Sequence, residues 1–253
     1  MLELTSVLSM LQSDGVVVIK NCVPIEIIKA CKAELKHVLK SQNISSIPGY
    51  KVGHLNFDCG KDIALQIEQQ MLPKLRSIAC GYLGTHKLRV SIIGNLNLPQ
   101  SVEQHWHTDG GELDRFLIVN IIIDDFTPDN GATEYSKGSH RNFFGFGGYL
   151  FRKLTNRFTV EVLSNVQAGS LVLRDSTMWH RGGKNITDSP RLMIGLSICK
   201  SLDDVFLFHE NSGLRENWFG SRPYMEAIYI NYRWIWNLKR LLSWIKSKKG
   251  QPS

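Results

Sequence analysis

From residue 87 onward the chain breaks into short apolar or alternating runs: "KLRVSIIGNLNL", "RFLIVNIIID", "GATEYSKGS", "FTVEVLS", "GSLVLRDS" and "RLMIGLSIC". Turn-forming clusters separate them, among them "TPDNG", "NVQAGS" and "NITDSP". Many short strands at such spacing predict a β sandwich or barrel over about residues 87–205.

The part before it has another texture. In residues 24–42, "PIEIIKACKAELKHVLKSQ", the apolar positions Ile27, Ile28, Cys31, Leu35 and Val38 follow a helical period. Pro24 suits the first turn of that helix. "GVVVIKN" just upstream reads as a short strand, and residues 61–84 read as one or two helices with a break near Pro73. The expectation is one domain over 1–253, mainly β with flanking helices: a helical part over about 1–86, a β core over about 87–205, and a helical tail over about 222–249.

Composition narrows the class. Hydrophobic residues at 43% and charged residues at 21% are ordinary for a globular protein. Five cysteines, never in a Cys-x-x-Cys pair, argue against a disulfide scaffold or zinc ribbon and fit a reducing cytoplasm. "MLELTSVLSMLQSDG" has no basic or long apolar region of a signal peptide, and no apolar run of about 18 residues suits a membrane-spanning helix.

Charge is uneven. Six of the seven net positive charges lie in residues 231–253, as Arg233, Lys239, Arg240, Lys246, Lys248 and Lys249, with no acid among them. On a helix over 232–249, Trp234, Ile235, Leu238, Leu241, Leu242, Trp244 and Ile245 gather opposite the basic residues. Such a helix suits an anionic membrane interface. The alternative is docking on the protein's own core with its charges solvated. Nucleic acid is set aside, because the basicity is confined to one short, greasy segment.

The chemistry concentrates in "EQHWHTDGG", where His105, His107 and Asp109 alternate. Residues i and i+2 of an extended segment share a face. His180, just past the predicted strand in "GSLVLRDSTMWHRGG", is the natural distal partner. Two imidazoles and one carboxylate form the facial triad of non-haem Fe(II) oxygenases, with three positions left open. A polar strand face without metal is the plain alternative. A cupin-type site of His105, His107 and His180 for another divalent metal is a third. Arg191, eleven positions after His180 at the start of a strand, suits a ligand carboxylate through its planar fork.

With these residues in place, the chain resembles the phytanoyl-CoA dioxygenase family of Fe(II)/2-oxoglutarate oxygenases. The matching pieces are "QSDGVVVIKNCV", "HWHTD", "DNGATEYSKGSH", "AGSLVLRDSTMWHRGG" and "SPRLMIGLSI", in the family's order over roughly residues 10–200. The resemblance implies a double-stranded β-helix (a cupin-like jelly roll) with Fe(II) held by His107, Asp109 and His180. It implies 2-oxoglutarate on Arg191, and O2 consumed with release of succinate and CO2 as a substrate is hydroxylated. Asp109 is the carboxylate that related halogenases lack, which favours hydroxylation or another oxidation.

One position departs from the family pattern: Gly182 stands where a hydroxyl residue often helps bind the cosubstrate. Asn95, Asn97, Asn120 and Thr133 are candidates to replace that contact, with a satisfied core amide the alternative for Asn120. His105 is read as lying near the ligands or facing substrate, or else as an exposed rim residue. Trp106 and Trp179 pack around the site. His54 and Lys51, in a loop over the mouth, are candidates for substrate contact. Gly138, Ser139 and His140 are read as structural, and His37, His86 and His209 as ordinary surface or core residues. The expected substrate is a small molecule or a membrane-presented one, such as a glycolipid or lipopolysaccharide-type sugar. A natural-product or acyl-thioester hydroxylase and a degenerate jelly-roll binding protein are the alternatives.

Overall fold

Alternation along the strands divides the molecule into a helix-facing side and a hollow side. The computed structural model describes residues 3–110, 115–141, 151, 154–155, 161–162 and 165–217. The elements run α1 (Leu4–Ser13), β1 (Val16–Ile19), α2 (Ile25–Ser41), β2 (His54–Cys59), α3 (Lys61–Leu83), β3 (Leu88–Asn97), β4 (Leu117–Ile122), β5 (Thr133–Tyr135), β6 (Glu161–Val162), β7 (Leu171–Asp175), β8 (His180–Gly182), β9 (Arg191–Lys200), β10 (Val205–Leu207) and β11 (Ser212–Glu216).

The large sheet has the order β1-β7-β4-β9-β3-β2-β11, antiparallel throughout, with β10 pairing parallel to the start of β3. A small antiparallel sheet, β6-β5-β8, faces it. These are the two sheets of a jelly-roll-type fold, mainly β with flanking helices. The large sheet takes in β1, the strand read in "GVVVIKN", and reaches beyond the expected β core by β2, from the part read as helical, and by β11, past residue 205. The tail over about 222–249 lies outside the described residues.

Leu192, Ile194, Leu196 and Ile198 of β9, with Val119 and Ile121 of β4 and Leu171 and Leu173 of β7, enter one apolar core with the helices. Helix α2 buries the five residues that the periodicity marked. Helix α1, which the sequence did not announce, buries only Val7 and Leu11. Helix α3 is continuous through Pro73, contrary to the expected break. Pro73 is exposed, and so is Gln69, whose carbonyl loses its intrahelical partner and meets water. Ile63, Ile67, Met71, Leu75 and Ala79, one turn apart, keep the helix on the sheet. Among the described residues, no helix is long and apolar enough to cross a membrane.

Candidate active site

His107 and His180 are brought together by backbone. The two residues form an antiparallel bridge: His107 N–H donates to the His180 carbonyl at 2.9 Å, and His180 N–H returns a bond at 3.0 Å. Asp109 N–H donates to the Ser176 carbonyl at 2.9 Å. The imidazole centroids end 4.2 Å apart. One donor atom from each of His107, Asp109 and His180 lies within 4.8 Å of the others, the one such group among the described residues.

Carbonyls orient both rings. His107 Nδ1 lies 2.8 Å from the His105 carbonyl, and His180 Nδ1 lies 3.1 Å from that of Met178. A carbonyl only accepts, so His107 Nδ1 carries the proton and its Nε2 offers a lone pair; for His180 the carbonyl is the nearer neighbour of Nδ1 and favours the same tautomer over the more distant Arg174 Nη1 at 3.4 Å. His107 Nε2 is 4.0 Å from Asp109 Oδ1, and His180 Nε2 is 3.4 Å from Asp109 Oδ2. Burial pushes both imidazoles below their ordinary value, which keeps them in the neutral, metal-binding form. Burial pushes the Asp109 carboxyl up, but Arg174 and the two imidazoles outweigh it and hold the group well below the usual carboxylate range.

Arg174 was not singled out by the sequence reading. Its Nη2 donates to Asp109 Oδ2, and its Nη1 lies 3.4 Å from His180 Nδ1. The signal was present: a charged residue inside the apolar strand "GSLVLRDS" needs a buried partner.

Arg191 begins β9 and is buried. Its Nη2 donates to the Gly131 carbonyl at 2.6 Å, and its guanidinium lies 4.9 Å from the Phe126 ring centroid. Gly131 has φ +78°, and a Cβ there would meet Asn97 Nδ2 at 1.8 Å, so this turn requires glycine. Nε and Nη1 of Arg191 are buried with no partner among the described residues. Burial pulls this guanidinium down to about 10. Thr133 and Asn120 are buried beside it on the same cavity, with the Tyr135 hydroxyl next to both side chains. A buried cation with two unmet donors calls for an anion.

His107, Asp109, Arg174, His180, Arg191, Thr133 and Asn120 all line one cavity of about 340 Å³. The donor set fits a divalent ion at His107, Asp109 and His180. The unmet donors of Arg191 fit a ligand carboxylate in the same cavity.

The space beside Gly182 is also filled. Its N–H donates to Gln104 Oε1 at 2.9 Å, and a Cβ would come within 2.9 Å of that oxygen and 3.1 Å of His54 Cε1. Gln104, three residues before His107, thus occupies the place of a hydroxyl side chain. It too passed unmarked in the sequence.

The other expected residues separate. Asn95 lines the cavity and accepts from Asn217 Nδ2 at 3.3 Å. His54 also lines it, but from strand β2 and not from a loop; its Nε2 is 2.6 Å from the Val102 carbonyl, and burial pushes its ring down to about 4. Lys51 is exposed and does not line the cavity. His105 is exposed, and its carbonyl serves His107. Trp106 is buried with the Arg181 guanidinium 5.2 Å over its ring. Ser139 Oγ accepts the Trp179 N–H at 2.9 Å, and His140 Nε2 lies 3.0 Å from the Gln12 carbonyl, both packing contacts beside the site. His37, His86 and His209 are exposed.

Comparison with known proteins agrees with this frame. AviO1 from Streptomyces viridochromogenes Tue57 is 18% identical with a TM-score of 0.62, covering 80% of this chain and 97% of its own. The epimerase SnoN, in complex with Fe3+, alpha ketoglutarate and nogalamycin RO, is 16% identical with a TM-score of 0.62, covering 83% and 98%. EvdO2 from Micromonospora carbonacea var. aurantiaca, complexed with 2-oxoglutarate, is 15% identical with a TM-score of 0.58, covering 83% and 95%. At such identity these likenesses speak for the fold. A Mycobacterium tuberculosis protein, Rv1501, is 37% identical over 87 residues, 33% of this chain, and the match spans only 29% of that relative's length. The family model for phytanoyl-CoA dioxygenase (PhyH) matches residues 11–193. The chain belongs to the phytanoyl-CoA dioxygenase family of non-haem iron, 2-oxoglutarate-dependent oxygenases.

Proposed function

We propose that this oxygenase hydroxylates a small, hydroxyl-rich substrate, with His107, Asp109 and His180 holding Fe(II) and Arg191 holding the far carboxylate of 2-oxoglutarate. One observation carries the assignment: three clustered donor atoms and a buried arginine with two unmet donors share one cavity. Bound Fe(II), with 2-oxoglutarate and O2, supplies the oxidising chemistry. The chain's own residues do the positioning. The Gly131 carbonyl and the Phe126 ring fix the guanidinium of Arg191, so its free edge meets a carboxylate with little ordering left to do. Thr133 and Asn120 offer further polar atoms to the cosubstrate.

The rest of the lining supports the substrate class. Asn56, Asn95, Gln104, Ser197 and Asn217 donate and accept without charge, as a sugar-like substrate requires. The test is succinate formation by the Fe(II)-loaded protein. Hydroxyl-rich small molecules should stimulate it more than acyl thioesters do. No succinate from iron-loaded protein sinks the enzyme assignment; stimulation by thioesters alone sinks the substrate class.

A second reading takes the reaction elsewhere. SnoN is named as an epimerase, which supports an oxidation of a natural-product-type substrate that does not end in a new hydroxyl. Product analysis with 18O2 separates the two, since hydroxylation retains label.

A membrane-presented substrate is the finer proposal. It rests on the basic, tryptophan-rich sequence 231–249. Intact protein should then sediment with anionic liposomes at low salt and a chain truncated at 230 should not. A truncated chain that aggregates, with no liposome binding by the intact one, favours docking on the core instead.

A further inference from the structure

We infer that Arg174 is a positioning residue that keeps Asp109 a single-oxygen ligand and so keeps the iron open to its cosubstrate. The inference rests on the metal assignment above. Arg174 is 5% exposed and stands on β7, with its fork spanning two of the three assigned ligands. One branch donates to Asp109 Oδ2, and the other lies 3.4 Å from His180 Nδ1. Its Nε is buried, has no partner among the described residues, and the side chain lines the cavity. The arginine therefore belongs to the site and not only to the core.

A carboxylate can give an ion one oxygen or both. Two imidazoles and one carboxylate oxygen leave three positions of an octahedral ion open, enough for a chelating 2-oxo acid and O2. A chelating carboxylate would close one of them. With Oδ2 committed to the guanidinium, Oδ1 is the oxygen left to bind. The contact works against metal affinity, because a fixed cation stands close to a divalent one. That opposition separates positioning from support. If Arg174 merely props up the ligands, removing it weakens metal binding. If it blocks Oδ2, removing it frees a second oxygen and removes a repelling charge, and metal binding tightens while the cosubstrate loses its place.

Anaerobic titration of Fe(II), then of 2-oxoglutarate, into the intact chain and its Arg174→Met, Arg174→Gln and Arg174→Lys variants reads both quantities. The second is followed by the visible charge-transfer band of the iron–cosubstrate complex. Arg174→Met should bind Fe(II) at least as tightly as the parent, yet need about tenfold more 2-oxoglutarate to form the band, or fail to form it. Arg174→Gln should shift the same way and carries the test if the methionine variant does not fold. Arg174→Lys, which keeps a cation near Oδ2, should recover the band in part. Weaker Fe(II) binding in the neutral variants, with unchanged cosubstrate saturation of the iron that does load, overturns the inference while the metal assignment stands. A parent chain that binds no Fe(II) overturns the metal assignment instead, and the inference with it.

Discussion

The two faces of strand β9 differ as much as two proteins might. Leu192, Ile194, Leu196 and Ile198 look toward the helices and are buried in one apolar core. Arg191, Met193, Gly195 and Ser197 alternate with them and line the cavity. Neighbouring strands repeat the division, with Val119 and Ile121 against Asn120, and Leu173 against Arg174. A strand places successive side chains on opposite faces, so stability and chemistry are interleaved residue by residue. The helix-facing side gains from burying apolar surface, whereas the hollow side keeps buried donors unmet, which costs stability until a ligand arrives.

That division can be broken from either side. The largest effect expected is on the hollow side: His180→Ala should reduce succinate formation to background while thermal stability changes little, because the ring contributes to a site and not to the main core. A parent-like rate in this variant would undo the site assignment. On the helix-facing side, Leu196→Ala should cost about 2–5 kcal/mol by leaving a cavity, yet leave the 2-oxoglutarate concentration for half-saturation unchanged. Denaturant melts beside a cosubstrate titration read both halves.

Acid probes the hollow side next. His54 is pushed down to about 4 by burial, from an ordinary 6.5. Between those values the unfolded chain takes up a proton that the folded chain refuses. Metal-free protein should therefore lose stability as pH falls from about 6.5 toward 4, by up to about 3 kcal/mol from this residue. His107 and His180, lowered for the same reason, push in the same direction. Stability plotted against pH across that window should fall less steeply for His54→Gln, and an identical slope would clear His54 of the effect. The smallest change expected is Arg191→Lys, which keeps the charge and loses the fork. It should weaken 2-oxoglutarate saturation by about tenfold, since hydrogen bonds to charged groups contribute roughly 1.5–3 kcal/mol.

How much of this was legible follows from the range of each interaction. The pair His107 and Asp109 sits two residues apart on one extended segment, and His180 follows a strand, so local spacing marks all three. Helix α2 was legible because its buried stripe has one period. The partners of polar groups were not. Arg174 looks like one charge in an apolar run until the fold sets its side chain beside Asp109. Gln104 looks like loop until Gly182 turns its N–H toward it. The strand at His54 was legible and passed over: in "HLNFDC" the apolar Leu55, Phe57 and Cys59 alternate strictly with His54, Asn56 and Asp58, the period of a strand. Pro73 misled because a proline's effect depends on whether the carbonyl it orphans faces water.

The reciprocal backbone bonds between His107 and His180 have a consequence for how this protein keeps its iron. The span between the two imidazoles is fixed by a β-bridge made of backbone bonds alone, and Asp109 is tethered separately to the Ser176 carbonyl. A zinc finger must fold around its metal and comes apart when stripped. Here backbone bonds of the fold set the jaws. An ion lost to a chelator or to oxidation should then be replaceable with no refolding step between one occupant and the next. Such a socket also does little to refuse ions of similar size. Which one occupies it follows from what the surroundings supply.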